Sequence, residues 1–246
     1  MRALYINLAS STDRRDWFDA QAVRLGLNIE RFDAIASDAI EESVALRFGV
    51  SKSTVACFYS HRAVWNEIAS GLDEYVAIFE DDAHLSADLS AFLVDSSWIP
   101  ADADIVHIEK LGKRFWGIDA GQKVFGRNLY RAISNFCGTA GYIISRDCAA
   151  NLYATFTEIR RDFDQSLFND IPGLKFYKIG PALCEQDRFT ANPRFPSVIA
   201  RPNKAKRSLS ISLVSREIAR VYWRVTSAAV RLFRLRLPRL IAIGVK

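Results

Sequence analysis

The sequence predicts an α/β fold, a Rossmann-type mixed and mostly parallel sheet with helices on both faces. Three observations predict it. Apolar runs of strand length recur along the chain, they alternate with segments of helical apolar spacing, and glycines or Ser/Thr caps mark the changeovers. The chain has 246 residues, half of them apolar and a quarter charged. That is enough for one large domain and unlike the composition of a disordered chain.

The elements follow in order. "ALYINL" (3–8) reads as a buried strand. In "SSTDRRDWFDAQAVRLGL", Ser11 or Thr12 caps a helix that carries Trp17, Phe18, Ala22 and Leu25 inward, and Gly26 ends it. "NIERFDAI" reads as the next strand. "SKSTVACFYSHRAVWNEIASG" is a helix capped by Ser53 and stopped at Gly71, with Val55, Tyr59, Ala63 and Ile68 on its inner face. Strands follow at "YVAIF" and "ADIVHI", then a β-rich stretch over 123–145 that includes "GTAGYIIS". Helical signals occupy about 146–157 and 163–169, and "KFYKIG" is a last strand.

The chemistry concentrates in "EYVAIFEDDAHLS" (74–86), where an apolar strand runs into Glu80, Asp81 and Asp82. In α/β sheets, ligands collect at the carboxyl ends of strands. Three adjacent carboxylates need a cation or full solvation, and a solvated acidic turn is the plainer alternative. In an extended turn, Glu80 and Asp82 share one side while Asp81 points away. Two hard oxygen donors on one side suit Mg2+ or Mn2+, completed by phosphates and water.

Other segments carry weaker signals. "INLASSTDRR" places Asn7, Leu8, a Ser/Thr turn, Arg14 and Arg15 at the end of the first strand. Helix N–H groups and arginine forks there would face a phosphate-bearing ligand; a capped helix with a solvated arginine pair is the alternative. Asn7 and Leu8 stand where a metal-dependent phosphohydrolase would carry its nucleophilic aspartate, which disfavours that class. His61 lies four residues after Cys57 and four before Trp65, but a Cys–His zinc pair would need two further ligands. Gly138 and Gly141 permit either close backbone approach to a ligand or a bulged strand. Phe115 and Trp116 are candidates for stacking on a ligand ring, with the core as the alternative for Trp116.

Net charge is +5, but it is unevenly spread. Residues 204–246 hold eleven Lys or Arg and one acid, net +10, which leaves residues 1–203 at −5. The expected organisation is a catalytic domain over 1–203 and a basic amphipathic segment over 204–246. At helical spacing Ile211, Val214, Ile218, Val221, Tyr222, Val225, Ala229 and Leu232 share one face, with Arg216, Arg220, Arg224, Arg231 and Arg234 opposite. Such a helix suits the interface of an anionic membrane without spanning it; packing on the domain is the alternative. Nucleic acid is not an expected partner, because it leaves the apolar face unexplained. Scattered cysteines (Cys57, Cys137, Cys148, Cys184) and a first apolar run too short for a signal peptide suggest reduced thiols and a cytoplasmic location, peripheral to the inner face of the cytoplasmic membrane.

In order, "YINLASSTDRR" (5–15), "ACFYSHRAVW" (56–65), "AIFEDDA" (77–83), "DIVHI" (104–108), "GTAGYIISRDCA" (138–149) and "FDQSLF" (163–168) resemble glycosyltransferase family 25. That family comprises bacterial lipooligosaccharide glycosyltransferases and collagen galactosyltransferases. The resemblance implies a GT-A-like fold, a UDP-sugar donor (most often UDP-galactose), a glycan or lipid-linked acceptor, inversion at the anomeric carbon and a divalent cation, Mn2+ or Mg2+. It implies that Asp82 ligates the metal and that Glu80 contacts the ribose or a metal-bound water, so that Glu80 is a second metal-site residue. Asp164 matches the general base, with Asp162 as second choice; a helix N-cap is the plainer role for Asp164. Asn7, Leu8, Arg14, Arg15, His61, Glu80 and Asp81 are the expected donor-binding residues. A metal-dependent nucleotide-binding module without transfer activity is the competing reading.

Overall fold

The computed structural model describes residues 1–110, 114–133, 137–195, 239–242 and 244. The amino-terminal half begins with β1 (Arg2–Asn7), α1 (Thr12–Arg24), β2 (Glu30–Asp33), α2 (Glu42–Phe48), α3 (Lys52–Ser70), β3 (Tyr75–Glu80), β4 (Ala83–Leu85) and α4 (Leu89–Leu93). It continues through β5 (Ile105–His107), β6 (Glu109–Lys110), β7 (Arg114–Val124), β8 (Arg127–Ala132), β9 (Gly141–Ser145) and α5 (Arg146–Thr155). The remaining elements are α6 (Phe163–Asn169), β10 (Phe176–Gly180), β11 (Cys184–Gln186) and β12 (Arg239–Ala242).

The expected mixed α/β architecture is observed, but among the described residues three of the eight strand pairings in the main sheet are parallel and five are antiparallel. The main sheet has the order β12-β7-β8-β10-β5-β9-β3-β1-β2. β1 lies parallel to β2 and β3, and β5 parallel to β10, while β9 runs antiparallel between β3 and β5. β7 and β8 form a hairpin closed by Phe125 and Gly126, both at positive φ (46° and 81°), as a two-residue turn between twisted strands requires. A small second sheet, β4-β11-β6, sits at the edge of the first.

Both sheet faces are covered, and the strands show it by alternation. Tyr5, Ala77, Phe79, Val106 and Ile143 pack on one side with Phe18, Phe92 and Trp98. Leu4, Ile6, Val76, Ile78, Ile105 and Ile144 pack on the other with Val55, Phe58, Trp65 and Leu152. A strand buried on both faces reads as the unbroken apolar run seen at 75–79.

Details of the helices differ from expectation. α3 is capped by Ser51, whose Oγ accepts from the Thr54 N–H at 3.2 Å, and Ser53 merely hydrogen-bonds that hydroxyl. Its buried face comprises Val55, Phe58, His61, Val64, Trp65 and Ile68, leaving Tyr59 and Ala63 at its margin. In α1 the inward residues are Arg14, Phe18, Gln21 and Ala22, with Leu25 half-exposed at the C-cap. Gly26 ends it at φ 64°, as expected. All four cysteines are free.

Two features concern the carboxyl-terminal segment. The arginine-faced helix positions, 211–234, lie outside the described residues. β12, which falls in that basic segment, pairs antiparallel with β7 and buries Ile241 against Phe115 and Tyr130. Phe115 is therefore core, not a sugar platform; the Trp116 side chain lies outside the described residues. Among the described residues no helix is long and apolar enough to cross a membrane.

Candidate active site

β1 and β3 are parallel neighbours in register Ile6 to Glu80, so Asn7 and the acidic triplet arrive at one sheet edge. There a cleft of about 160 Å³ opens, lined by Leu8, Arg14, His61, Glu80, Asp81 and Asp82 among others. An adjoining hollow of about 70 Å³ is lined by Asp162, Asp164, Gly138 and Thr139. Cys57, Glu80, Gln186 and Arg188 line both and mark their junction.

The three carboxylates are compensated differently. Asp81 turns away from the other two, as the extended-turn geometry requires. It accepts from Asn7 Nδ2 at 2.8 Å and from Arg14 Nη1 at 2.9 Å. Burial raises its pKa, and Arg14 and Asn7 oppose that rise. Glu80 and Asp82 face each other across one amide: Gln186 Nε2 donates to Glu80 Oε2 at 3.2 Å and lies 3.3–3.4 Å from both Asp82 oxygens. Burial, then the Glu80 charge, push Asp82 up to about 7 despite Arg14 Nη1 at 3.7 Å. At Glu80 burial acts upward too, but His61 Nε2 at 3.7 Å and the Thr139 hydroxyl, donating at 2.6 Å, outweigh it and hold the carboxyl below its usual range.

His61 is buried. Its Nδ1 is hydrogen-bonded with the Tyr142 hydroxyl at 2.9 Å, which also accepts from Trp65 Nε1 at 3.0 Å. Cys57, His61 and Glu80 offer ligand atoms within 4.8 Å of one another, so Glu80 supplies a third partner to the Cys–His pair. The Cys57 thiol, however, is raised well above its ordinary pKa by burial and by the Glu80 charge.

In the hollow, Asp164 Oδ2 accepts from the Gly138 N–H at 2.8 Å and Oδ1 from the Gln165 N–H at 2.7 Å. Burial raises the Asp164 pKa, opposed by those two N–H groups. The N-cap of α6 is Asp162, whose side chain makes no capping bond, so Asp164 sits inside the first turn. Gly138 is at φ 90°, and a Cβ there would lie 2.5 Å from Glu109 Oε2. A Cβ on Gly141 would lie 2.2 Å from Cys184 Sγ. Both glycines thus permit close approach to the protein itself, and Gly138 also lines the hollow.

Of the expected residues, Leu8, Arg14, His61, Glu80, Asp81 and Asp82 share the cleft, and Asp162 and Asp164 share the hollow. Asn7 is buried beneath the cleft, where it orients Asp81. Arg15 is corrected: one residue further round α1 than Arg14, it points outward and pairs with Asp16 at 3.4 Å. Unanticipated contributors are Ala34, Ile35 and Ser37 after β2, Gln186 at the end of β11, and Arg188 and Phe195 beyond it. No motif marks these residues, because strands of three or four residues carry no legible period.

An α/β sheet with a carboxylate-floored cleft at its strand tips, beside a second acidic hollow, is a ligand-binding architecture. The family model described as "Glycosyltransferase family 25 (LPS biosynthesis protein)" matches residues 1–167, and the chain belongs to that family. It is 30% identical over 206 residues to the lacto-N-neotetraose biosynthesis glycosyltransferase LgtB of Neisseria gonorrhoeae, covering 74% of this chain and 73% of that protein. It is 31% identical to LgtE of Neisseria meningitidis serogroup B over 206 residues (74% and 72% covered). The lipooligosaccharide biosynthesis protein lic2B of Haemophilus influenzae is 28% identical over 199 residues (74% of each). Among solved structures, a glycosyltransferase involved in glycosylation of the major capsid of PBCV-1 aligns over 77% of this chain and 93% of its own, with a TM-score of 0.42 at 12% identity.

Proposed function

We propose that this protein transfers galactose from UDP-galactose, with inversion, to a lipooligosaccharide or other glycan acceptor, with a divalent cation at Glu80 and Asp82. The observation that carries the reading is the pairing of an under-compensated carboxylate couple in the main cleft with a separately buried aspartate, Asp164, in the adjoining hollow.

The donor set fits Mn2+ or Mg2+. Glu80 and Asp82 present hard oxygens with a single amide between them, and burial, then the Glu80 charge, push Asp82 up to about 7 even with Arg14 Nη1 at 3.7 Å. When bound, the cation would supply Lewis-acid neutralisation of the diphosphate. Arg14 and Asn7 lock Asp81, so the tip of β3 is a rigid mount. Asp164 accepts the proton of the attacking acceptor hydroxyl; its raised pKa makes it a stronger base than a solvated aspartate. Inversion requires base and leaving group on opposite sides of the sugar, which supports donor in the cleft and acceptor in the hollow.

Acceptor sites on lipid-linked glycans would lie at a membrane, and the +10 segment over 204–246 supports peripheral attachment at the cytoplasmic face. Flotation on anionic liposomes, with and without that segment, tests it; equal flotation contradicts it. For the activity itself, UDP release from UDP-galactose with Mn2+ should depend on a glycan acceptor. Tight UDP binding with no acceptor-dependent release would instead favour a nucleotide-binding module.

A further inference from the structure

The cleft contains two arginines in opposite situations. Arg14 is committed to the acidic triplet, at 2.9 Å from Asp81 and 3.7 Å from Asp82. Arg188 lines both cleft and hollow, yet makes no hydrogen bond or ion pair among the described residues. Its Nε is buried with no acceptor, and its guanidinium lies 4.6 Å from the Phe189 ring centroid. Carboxylates surround it: Glu80 at the junction, Asp82 in the cleft, Asp162 and Asp164 in the hollow.

The backbone carrying Arg188 is fixed. The Asp187 N–H donates to the Asp82 carbonyl at 2.9 Å, tying this turn to the triplet's own main chain. The Asp187 carboxylate is buried, with His84 Nε2 2.8 Å from Oδ1 and the Arg194 and Phe195 N–H groups donating to Oδ2 at 2.7 and 2.8 Å. A half-buried arginine on a hydrogen-bonded turn, its Nε buried without an acceptor and bonded to none of the nearby acids, presents its donors to a ligand. The planar fork matches a phosphate oxyanion.

We propose that Arg188 is a catalytic residue that binds the β-phosphate of the nucleoside diphosphate and stabilises it as the leaving group. This rests on the donor reading above. In the transfer the bond from the anomeric carbon to the β-phosphate oxygen breaks, and its electron pair stays on that oxygen. The acceptor oxygen forms the new bond to the anomeric carbon and its proton passes to Asp164. Negative charge therefore grows on the β-phosphate at the junction Arg188 occupies. Arginine never gives up its proton, so it acts there by charge and hydrogen bonding.

The test uses full-length protein, Mn2+, and the ligands UDP and UMP. Arg188→Gln should weaken UDP binding by about 10-fold or more while UMP binding changes less than about 2-fold, and should lower kcat by about 10²-fold. Arg188→Lys, which keeps the charge and loses the fork, should recover part of both. An unchanged UDP-to-UMP preference with near-native kcat in the folded variants would overturn the assignment. So would a loss confined to the acceptor KM, which would give Arg188 to an anionic group of the acceptor. Failure of the wild-type protein to bind either nucleotide would overturn the donor reading itself, and Arg188's role with it.

Discussion

Two buried ionic clusters lie close together in this molecule, and only one opens to a cleft. The first is Glu80, Asp81 and Asp82 with Arg14 and His61. The second is His107, Glu109 and Lys178, beneath the Gly138 turn. Lys178 Nζ donates to the Glu109 carbonyl at 2.7 Å and lies 2.5 Å from His107 Nδ1, and His107 Nε2 reaches the Gly138 carbonyl at 2.9 Å. The Glu109 carboxyl accepts from the Ala140 N–H at 2.9 Å. Burial, then the Glu80 charge, hold it well above its ordinary range, and burial brings Lys178 down to about 8. The second cluster relieves its charge by titrating and by bonding inward. The first borders open space, with Glu80 held low and Asp82 pushed up to about 7. Perturbed acidity is common to both; access to a ligand separates them.

Acid-to-amide substitutions expose that difference. Asp164→Asn should lower turnover by about 10³-fold with an unshifted unfolding midpoint. Turnover by the wild type should rise with pH through a value above the ordinary 3.8 of aspartate, because burial raises the Asp164 pKa and only the carboxylate accepts a proton. Near-native turnover by the variant would remove the base. Gly138→Ala joins the two clusters, since the turn holds Glu109 on one side and donates to Asp164 on the other. The positive φ and the contact with the Glu109 carboxylate should cost about 3 kcal/mol by urea denaturation, with reduced activity.

Smaller effects sharpen the contrast. Burial acts upward on Asp187, but His84 and the Phe195 and Arg194 N–H groups outweigh it, so the folded value lies below 3.8. The carboxylate then stabilises the fold above pH 3.8, and that contribution is lost as pH falls through the folded value. Asp187→Asn should cost about 1 kcal/mol at pH 7, a gap that closes on acidification below 3.8. Glu109→Gln should be nearly silent, within about 1 kcal/mol of wild type and with unchanged kcat, because burial favours the neutral carboxyl, which the amide resembles. A large loss of activity there would erase the distinction between the clusters.

The legible part of the site was local. An apolar run ending in three acids placed the carboxylates at a strand tip, and a capped helix following β1 placed Arg14 beside them. Helix phase decided between Arg14 and Arg15: only the former shares the inward face with Phe18, Gln21 and Ala22. Gln186 and Arg188 were illegible because β11 reaches the site by pairing with β4 and β6, about 75 to 100 residues earlier in the chain. The order of the sheet was likewise hidden: β9 reads as any apolar strand, and nothing local says that it inserts antiparallel between β3 and β5.

The most direct test is calorimetric titration of UDP into wild type and Asp82→Asn, with and without Mn2+. Tight binding should require both the cation and the native aspartate, with a loss of at least about 10²-fold when either is removed. Equal affinity in all four titrations would contradict a cation and diphosphate seated on the tip of β3.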